Sequence, residues 1–125
     1  MKKLIRTNKD VIMAMANINK KRTGLSVNIW SDGQGCLRNK PDKLPRVKLD
    51  AGDASISVSI SDQPVVLAPK NWLSKFKQSE IDSFEEGIEY VARNYDLLLK
   101  HYMDTDGSFD DFDLFNALKS RGEFK

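Results

Sequence analysis

Residues 80–103 read EIDSFEEGIEYVARNYDLLLKHYM, and the apolar positions Ile81, Phe84, Ile88, Val91, Tyr95, Leu98 and Tyr102 follow one another in steps of three and four. Such spacing returns every side chain to one side of an α-helix, so the stretch predicts a single amphipathic helix with a core-facing stripe. Ser79-Glu80-Ile81-Asp82 has the form of a capping box at its start. Tyr95 and Tyr102 belong to the stripe as core residues rather than as cofactor contacts. Burying each such side chain stabilises by roughly 1.5–3 kcal/mol, so a charge at Ile88 is expected to unfold the protein.

Downstream, Ser108 is expected to cap a last helix carrying Phe112, Phe115 and Leu118, with Gly122 just beyond its end. Upstream lies a β region. Ala54, Ile56, Val58 and Ile60 alternate with Ser55, Ser57 and Ser59, the period-two signature of a half-buried strand. Leu25, Val27 and Ile29 alternate with Ser26, Asn28 and Trp30, Val47 and Leu49 with Arg46 and Lys48, and Val65–Leu67 is a fourth short apolar run. Glycine, proline and aspartate turns separate these runs, too short for parallel returns, so neighbouring strands are expected to be antiparallel. At the start, Thr7–Asp10 resembles another cap. Val11, Ile12, Met15 and Ile18 recur at helical spacing, and Lys20-Lys21-Arg22 followed by Gly24 suits a helix end.

The expected fold is a single α+β domain over residues 1–125. A two-layer architecture follows, with about four mainly antiparallel strands and three helices, one N-terminal and two C-terminal, covering one sheet face. The other face would expose Asn28, Trp30, Arg46, Lys48 and the three serines.

Composition narrows the function classes. The 125 residues are 40% apolar and 30% charged, an ordinary globular balance. The longest apolar run, Val11–Ala16, falls far short of the roughly twenty residues that span a bilayer. Polar residues from Arg6 to Asp10 interrupt any signal-peptide core after MKKLI, so a cytoplasmic protein without membrane association is expected. One Cys, Cys36, and one His, His101, allow neither an internal disulfide nor a Cys/His zinc site from one chain.

Charge is unevenly placed. Residues 1–77 hold 15 Lys and Arg against 6 acids, a net of +9, whereas residues 78–125 hold 5 against 12, a net of −7. Either the first part meets an acidic partner or the two parts neutralise each other in the fold.

Candidate chemistry is sparse. Cys36 and His101 form the only Cys–His combination, and neither lies in a nucleophile motif, so a small reduced thiol and a surface imidazole are the expectation. Asp104-Thr105-Asp106-Gly107-Ser108-Phe109-Asp110 has the acid density of a calcium loop, but placing Gly107 sixth puts Tyr102 first and Asp113 twelfth, where an acid and a glutamate are needed. Asp110, Asp111 and Asp113 read instead as first-turn acids beside the Ser108 cap. Gly33-x-Gly35 lacks the third glycine of a dinucleotide fingerprint, since Arg38 stands there. No metal or cofactor is therefore expected.

Two stretches, KKRTGLSVNIWSDGQGCLRNK (Lys20–Lys40) and RNYDLLLKHYMDTDGSFDDFDLFNALKSRGEFK (Arg93–Lys125), resemble a group of small bacterial proteins without assigned activity. The resemblance implies a cytoplasmic bacterial protein associated with a mobile element, and supplies no catalytic residues.

What remains is the basic β region. Phosphate binding needs clustered cations, and single strands add aromatic platforms for stacking. Lys21, Arg22, Arg38, Lys40, Lys43, Arg46 and Lys48 would supply the cations and Trp30 the platform. The sequence thus points to a non-enzymatic binding module whose basic sheet face meets nucleic acid or an acidic protein surface. The alternative is a protein–protein or homodimerisation module using the acidic C-terminal part, and an enzyme comes third.

Overall fold

A computed structural model describes residues 15–39 and 43–125. Among them, β1 (Met15–Ile18), β2 (Asn28–Asp32), β3 (Arg46–Ala51), β4 (Ala54–Ser59) and β5 (Val66–Ala68) form one antiparallel sheet in the order β1-β2-β3-β4-β5. Short helices α1 (Lys20–Thr23), α2 (Gly35–Arg38) and α3 (Trp72–Lys75) sit in the connections, and α4 (Gln78–Arg93), α5 (Tyr95–Tyr102) and α6 (Asp111–Ser120) complete the chain. This is the two-layer α+β fold read from the sequence, with five strands rather than about four and six helices rather than three.

The extra strand corrects one expectation. Met15 and Ile18 belong to β1, not to a helix continuing from Thr7, and the residues before Met15 lie outside the described ones. Ala16 and Ile18 turn into the core while Met15 and Asn17 turn out, so the alternation of a strand was present within the helical spacing. The basic run does form a helix end at α1. Gly24 closes it at φ 80°, a left-handed conformation that costs glycine little.

Register assembles the core in rows. Ile18, Ile29, Leu49 and Ile56 face one another across four strands, and Val47, Val58 and Val66 form a second row. Helices α4, α5 and α6 cover this face, contributing Phe84, Tyr90, Val91, Leu98, Leu114 and Leu118 to one continuous core. α4 crosses the sheet at Gly87, where an added Cβ would stand 2.8 Å from Val27 Cγ2 and 2.9 Å from Leu49 Cδ1. Only glycine lets the helix lie that close.

The predicted long helix is broken. Asn94, fully buried, separates α4 from α5, its side chain donating to the Tyr90 carbonyl and to Glu123. The break changes the phase of the stripe: Tyr90 is buried, Tyr95 is exposed, and Ile88 lies half-buried at the margin of the core. The last helix is capped by Asp110, whose carboxylate accepts from the Asp113 N–H at 3.0 Å, and not by Ser108. No helix among the described residues is long and apolar enough to cross a membrane.

Candidate functional site

The face of the sheet away from the helices carries the polar halves of the strands. Asn17, Trp30, Lys48, Ser57 and Ala68 form one row across all five strands, and Asn28, Asp50 and Ser55 form the next. Opposed positions on neighbouring strands put Cβ atoms about 5 Å apart, so Trp30 and Lys48 are direct neighbours. Arg46 shares their face by alternation and stands one step along β3. The indole of Trp30 is held edge-on: its Nε1–H donates to Asp50 Oδ2 at 2.6 Å, and Asn28 Nδ2 donates to the other oxygen at 3.1 Å. Asp50 therefore brings an acid onto this face.

The remaining cations divide between the two ends of the sheet. Antiparallel register sets the end of β2 near Arg46, and there Arg38 forms a 2.6 Å ion pair with Asp32. Arg38 also donates to the Gly33 carbonyl. Burial raises the Asp32 carboxyl above its ordinary range, with the Arg38 guanidinium opposing that shift. Lys43 is exposed in the approach to β3, and Lys40 lies outside the described residues. Lys21 and Arg22 lie at the opposite end, where the Lys20 N–H meets Asn28 Oδ1 at 3.0 Å. Arg22 donates to the Lys125 carbonyl and stacks over Phe124, 4.8 Å from the ring centre. The structure thus brings together Trp30, Arg46 and Lys48, with Arg38 and Lys43 at one end, and separates Lys21 and Arg22 from them.

The charge asymmetry survives folding in its pairing pattern. Three ion pairs form among the described residues, Arg38–Asp32, Arg93–Glu123 and Arg121–Asp96, and His101 hydrogen-bonds to Asp111. Each joins two residues of the same part of the chain, and none links residues 1–77 to residues 78–125. The Arg93 guanidinium holds the Glu123 carboxyl below its ordinary range, and Arg121 does the same for Asp96.

A second polar constellation lies where β2 leaves the sheet. His101 is fully buried, correcting the expectation of a surface imidazole. Its Nε2 is 2.7 Å from Asp111 Oδ1 and its Nδ1 is 2.7 Å from Ser31 Oγ. A carboxylate only accepts, so Nε2–H points at Asp111, and Nδ1 shares the second hydrogen bond with the Ser31 hydroxyl. Asp111 is therefore a histidine partner as well as a first-turn acid. The chain Ser31–His101–Asp111 contains the residue types of a nucleophilic triad, but Ser31 has 0% exposure and is not offered to a substrate. Gly33 is packed against this imidazole, where a Cβ would lie 2.9 Å from Nε2. Gln34 adopts φ 61°, uncommon for a side chain, while its N–H donates to the His101 carbonyl at 3.1 Å. The network pins β2 to α5 and α6. Above it opens a cleft of about 290 Å³ with Arg38, Asp111, Phe109 and Phe112 in its wall.

Cys36 does not join His101; its Sγ lies 3.7 Å from the Asp104 carbonyl. Asp104 folds its own loop, its carboxylate accepting the N–H groups of Asp106, Gly107, Ser108 and Phe109 at 3.1–3.4 Å. Among the described residues no three His, Cys, Asp or Glu side chains are placed to hold a metal ion. Comparison of the chain with protein families, curated proteins and solved structures finds no match.

Proposed function

We propose that this chain is a non-enzymatic binding module whose open sheet face receives a polyanion, in the first place single-stranded nucleic acid. The observation that carries this reading is the pairing pattern. No salt bridge among the described residues joins a Lys or Arg side chain of residues 1–77 to an Asp or Glu side chain of residues 78–125, and Arg22 meets the C-terminal part only at the Lys125 main-chain oxygen and the Phe124 ring. Lys48 and Arg46 share a face with an indole fixed by Asp50, and the acids of α4 belong to the opposite layer. Cations would meet phosphates while Trp30 offers a surface for one base, a combination suited to single strands. With Ser31 fully buried, the Ser31–His101–Asp111 chain reads as a structural pin.

A second reading rests on a different observation. Trp72, Glu85, Ile88 and Glu89 line a shallow groove on the helix layer, and Leu73, next to Trp72, is 63% exposed. That surface suits a partner protein or a second copy better than a nucleic acid, because its charge is negative.

Fluorescence anisotropy with labelled single- and double-stranded oligonucleotides at two salt concentrations separates the readings. Polyanion binding weakens steeply with salt as counterions are released, whereas docking through an apolar groove changes little. If no oligonucleotide binds at low salt, the first reading fails.

A further inference from the structure

The open face continues past Lys48 into a groove of about 340 Å³ lined by Lys48, Ser55, Ser57, Ala68, Pro69 and Lys75. We infer that this groove is a phosphate subsite, in which the Lys48 and Lys75 ammonium groups and the Ser55 and Ser57 hydroxyls surround one phosphate group. The inference rests on the polyanion reading of the sheet face and adds to it three residues, Ser55, Ser57 and Lys75, from strand β4 and helix α3.

Each member is available for such a ligand. Neither lysine forms an ion pair with a described residue, and neither serine side chain hydrogen-bonds to one. The acid closest in register, Asp50, already accepts from Trp30 and Asn28. Serine brings to a strand neither the branched Cβ nor the ring that favours that conformation, so local propensity does not account for Ser55 and Ser57. What they and Ala68 do provide is a low floor of small side chains between two long cationic ones. Lys75 lines the groove, and its Nζ is 5.5 Å from the centre of the Phe76 ring. Two cations and two hydroxyl donors suit the several acceptor oxygens of a phosphate, each available as a charge-assisted partner.

Position ties the subsite to Trp30. Trp30, Lys48 and Ser57 are consecutive in one register row, and adjacent strands are about 4.8 Å apart. A base stacked on the indole and a phosphate in the groove thus fall within reach of a single nucleotide unit. The sequence signal for Lys75 was weak because it follows β4 by sixteen residues and returns to it only through the fold.

The test is an amide chemical-shift titration of the full chain with sodium phosphate against a sodium chloride control, paired with oligothymidine anisotropy on the wild type, Lys75→Glu and Ser55→Ala/Ser57→Ala. The expected result is a saturable phosphate response at residues 48 and 55–57, lost in Lys75→Glu, with oligothymidine bound about tenfold more weakly by that variant. A response in the wild type that persists unchanged in Lys75→Glu, or none at these residues, overturns the subsite. If oligothymidine still binds in that case, the broader sheet-face reading stands. A saturable response here without oligothymidine binding supports the subsite for free phosphate and overturns the nucleic-acid reading.

Discussion

The indole N–H of Trp30 donates to Asp50 Oδ2 at 2.6 Å, fixing an aromatic ring of one strand to a carboxylate of the next on the open side of the sheet. The bond orients the ring and also places one negative charge among cations. Asp50→Asn keeps an acceptor of similar shape and removes the charge. Oligonucleotide affinity is expected to rise about fivefold, from roughly 1 kcal/mol of relieved repulsion at close range in water. Unchanged or weaker binding, measured by anisotropy at low salt, would place the ligand elsewhere.

The Ser31–His101–Asp111 chain is expected to support the fold rather than turnover. His101→Ala leaves a cavity and deprives a buried hydroxyl of its partner, costing about 2–4 kcal/mol. Denaturant unfolding should show this loss, with Ser31→Ala milder because both its polar atom and its need for a partner disappear together. A His101→Ala protein as stable as the wild type would sink the pin.

Gly87 tests the approach of α4 to the sheet. Gly87→Ala gains about 1 kcal/mol of helix propensity but overpacks Val27 and Leu49 at a cost of about 1–3 kcal/mol, so a net loss is expected. In a Leu49→Ala background the penalty should shrink. An equal penalty in both backgrounds would mean that the methyl does not meet Leu49.

Glu123 sets the acid limb of stability. Its carboxyl is held low first by the hydrogen bond from Arg93, at 2.9 Å, with Asn94 adding to it against the opposing effect of burial. A carboxyl lowered by folding stabilises above its ordinary value of 4.5, and that contribution disappears as pH falls through the lowered folded value. Arg93 is half exposed, so solvent screening keeps the effect to about 1 kcal/mol or less. Glu123→Gln is expected to lose that amount at neutral pH and to show a flatter fall in Tm as the pH drops below the ordinary carboxyl value of 4.5. A parallel acid limb in the variant would exclude Glu123 as its source.

Much of this architecture was legible in local patterns, because alternation along β2, β3 and β4 is set by neighbours two residues apart. Met15–Ile18 misled because four residues satisfy helical and strand periods alike. The break at Asn94 was hidden because the step-of-three-and-four stripe runs on through it, while Glu123, which accepts from the Asn94 side chain, lies 29 residues away. His101 was harder still: Ser31 is 70 residues distant. The signal existed, since the alternation that buries Val27 and Ile29 also turns Ser31 inward, and the step from Leu98 to His101 keeps the imidazole on the buried side of its helix. On the open face, Trp30, Arg46 and Lys48 were placed together by alternation alone. Lys21 and Arg22 are separated from Arg38 because α1 enters β2 at Asn28 and Arg38 follows its far end at Asp32. The contacts of Arg22 with Phe124 and Lys125 join residues about a hundred positions apart and were not foreseeable.

The most direct measurement is the salt dependence of oligothymidine binding by Arg46→Glu/Lys48→Glu, beside Glu85→Lys/Glu89→Lys on the opposite layer. For the sheet-face pair, affinity should fall at least about tenfold, and the slope of log affinity against log salt should shrink by about 1.4, two contacts at 0.7 each for a single strand. The helix-layer pair should keep the wild-type slope. A sheet-face variant that binds with wild-type affinity and slope would contradict the proposed polyanion surface.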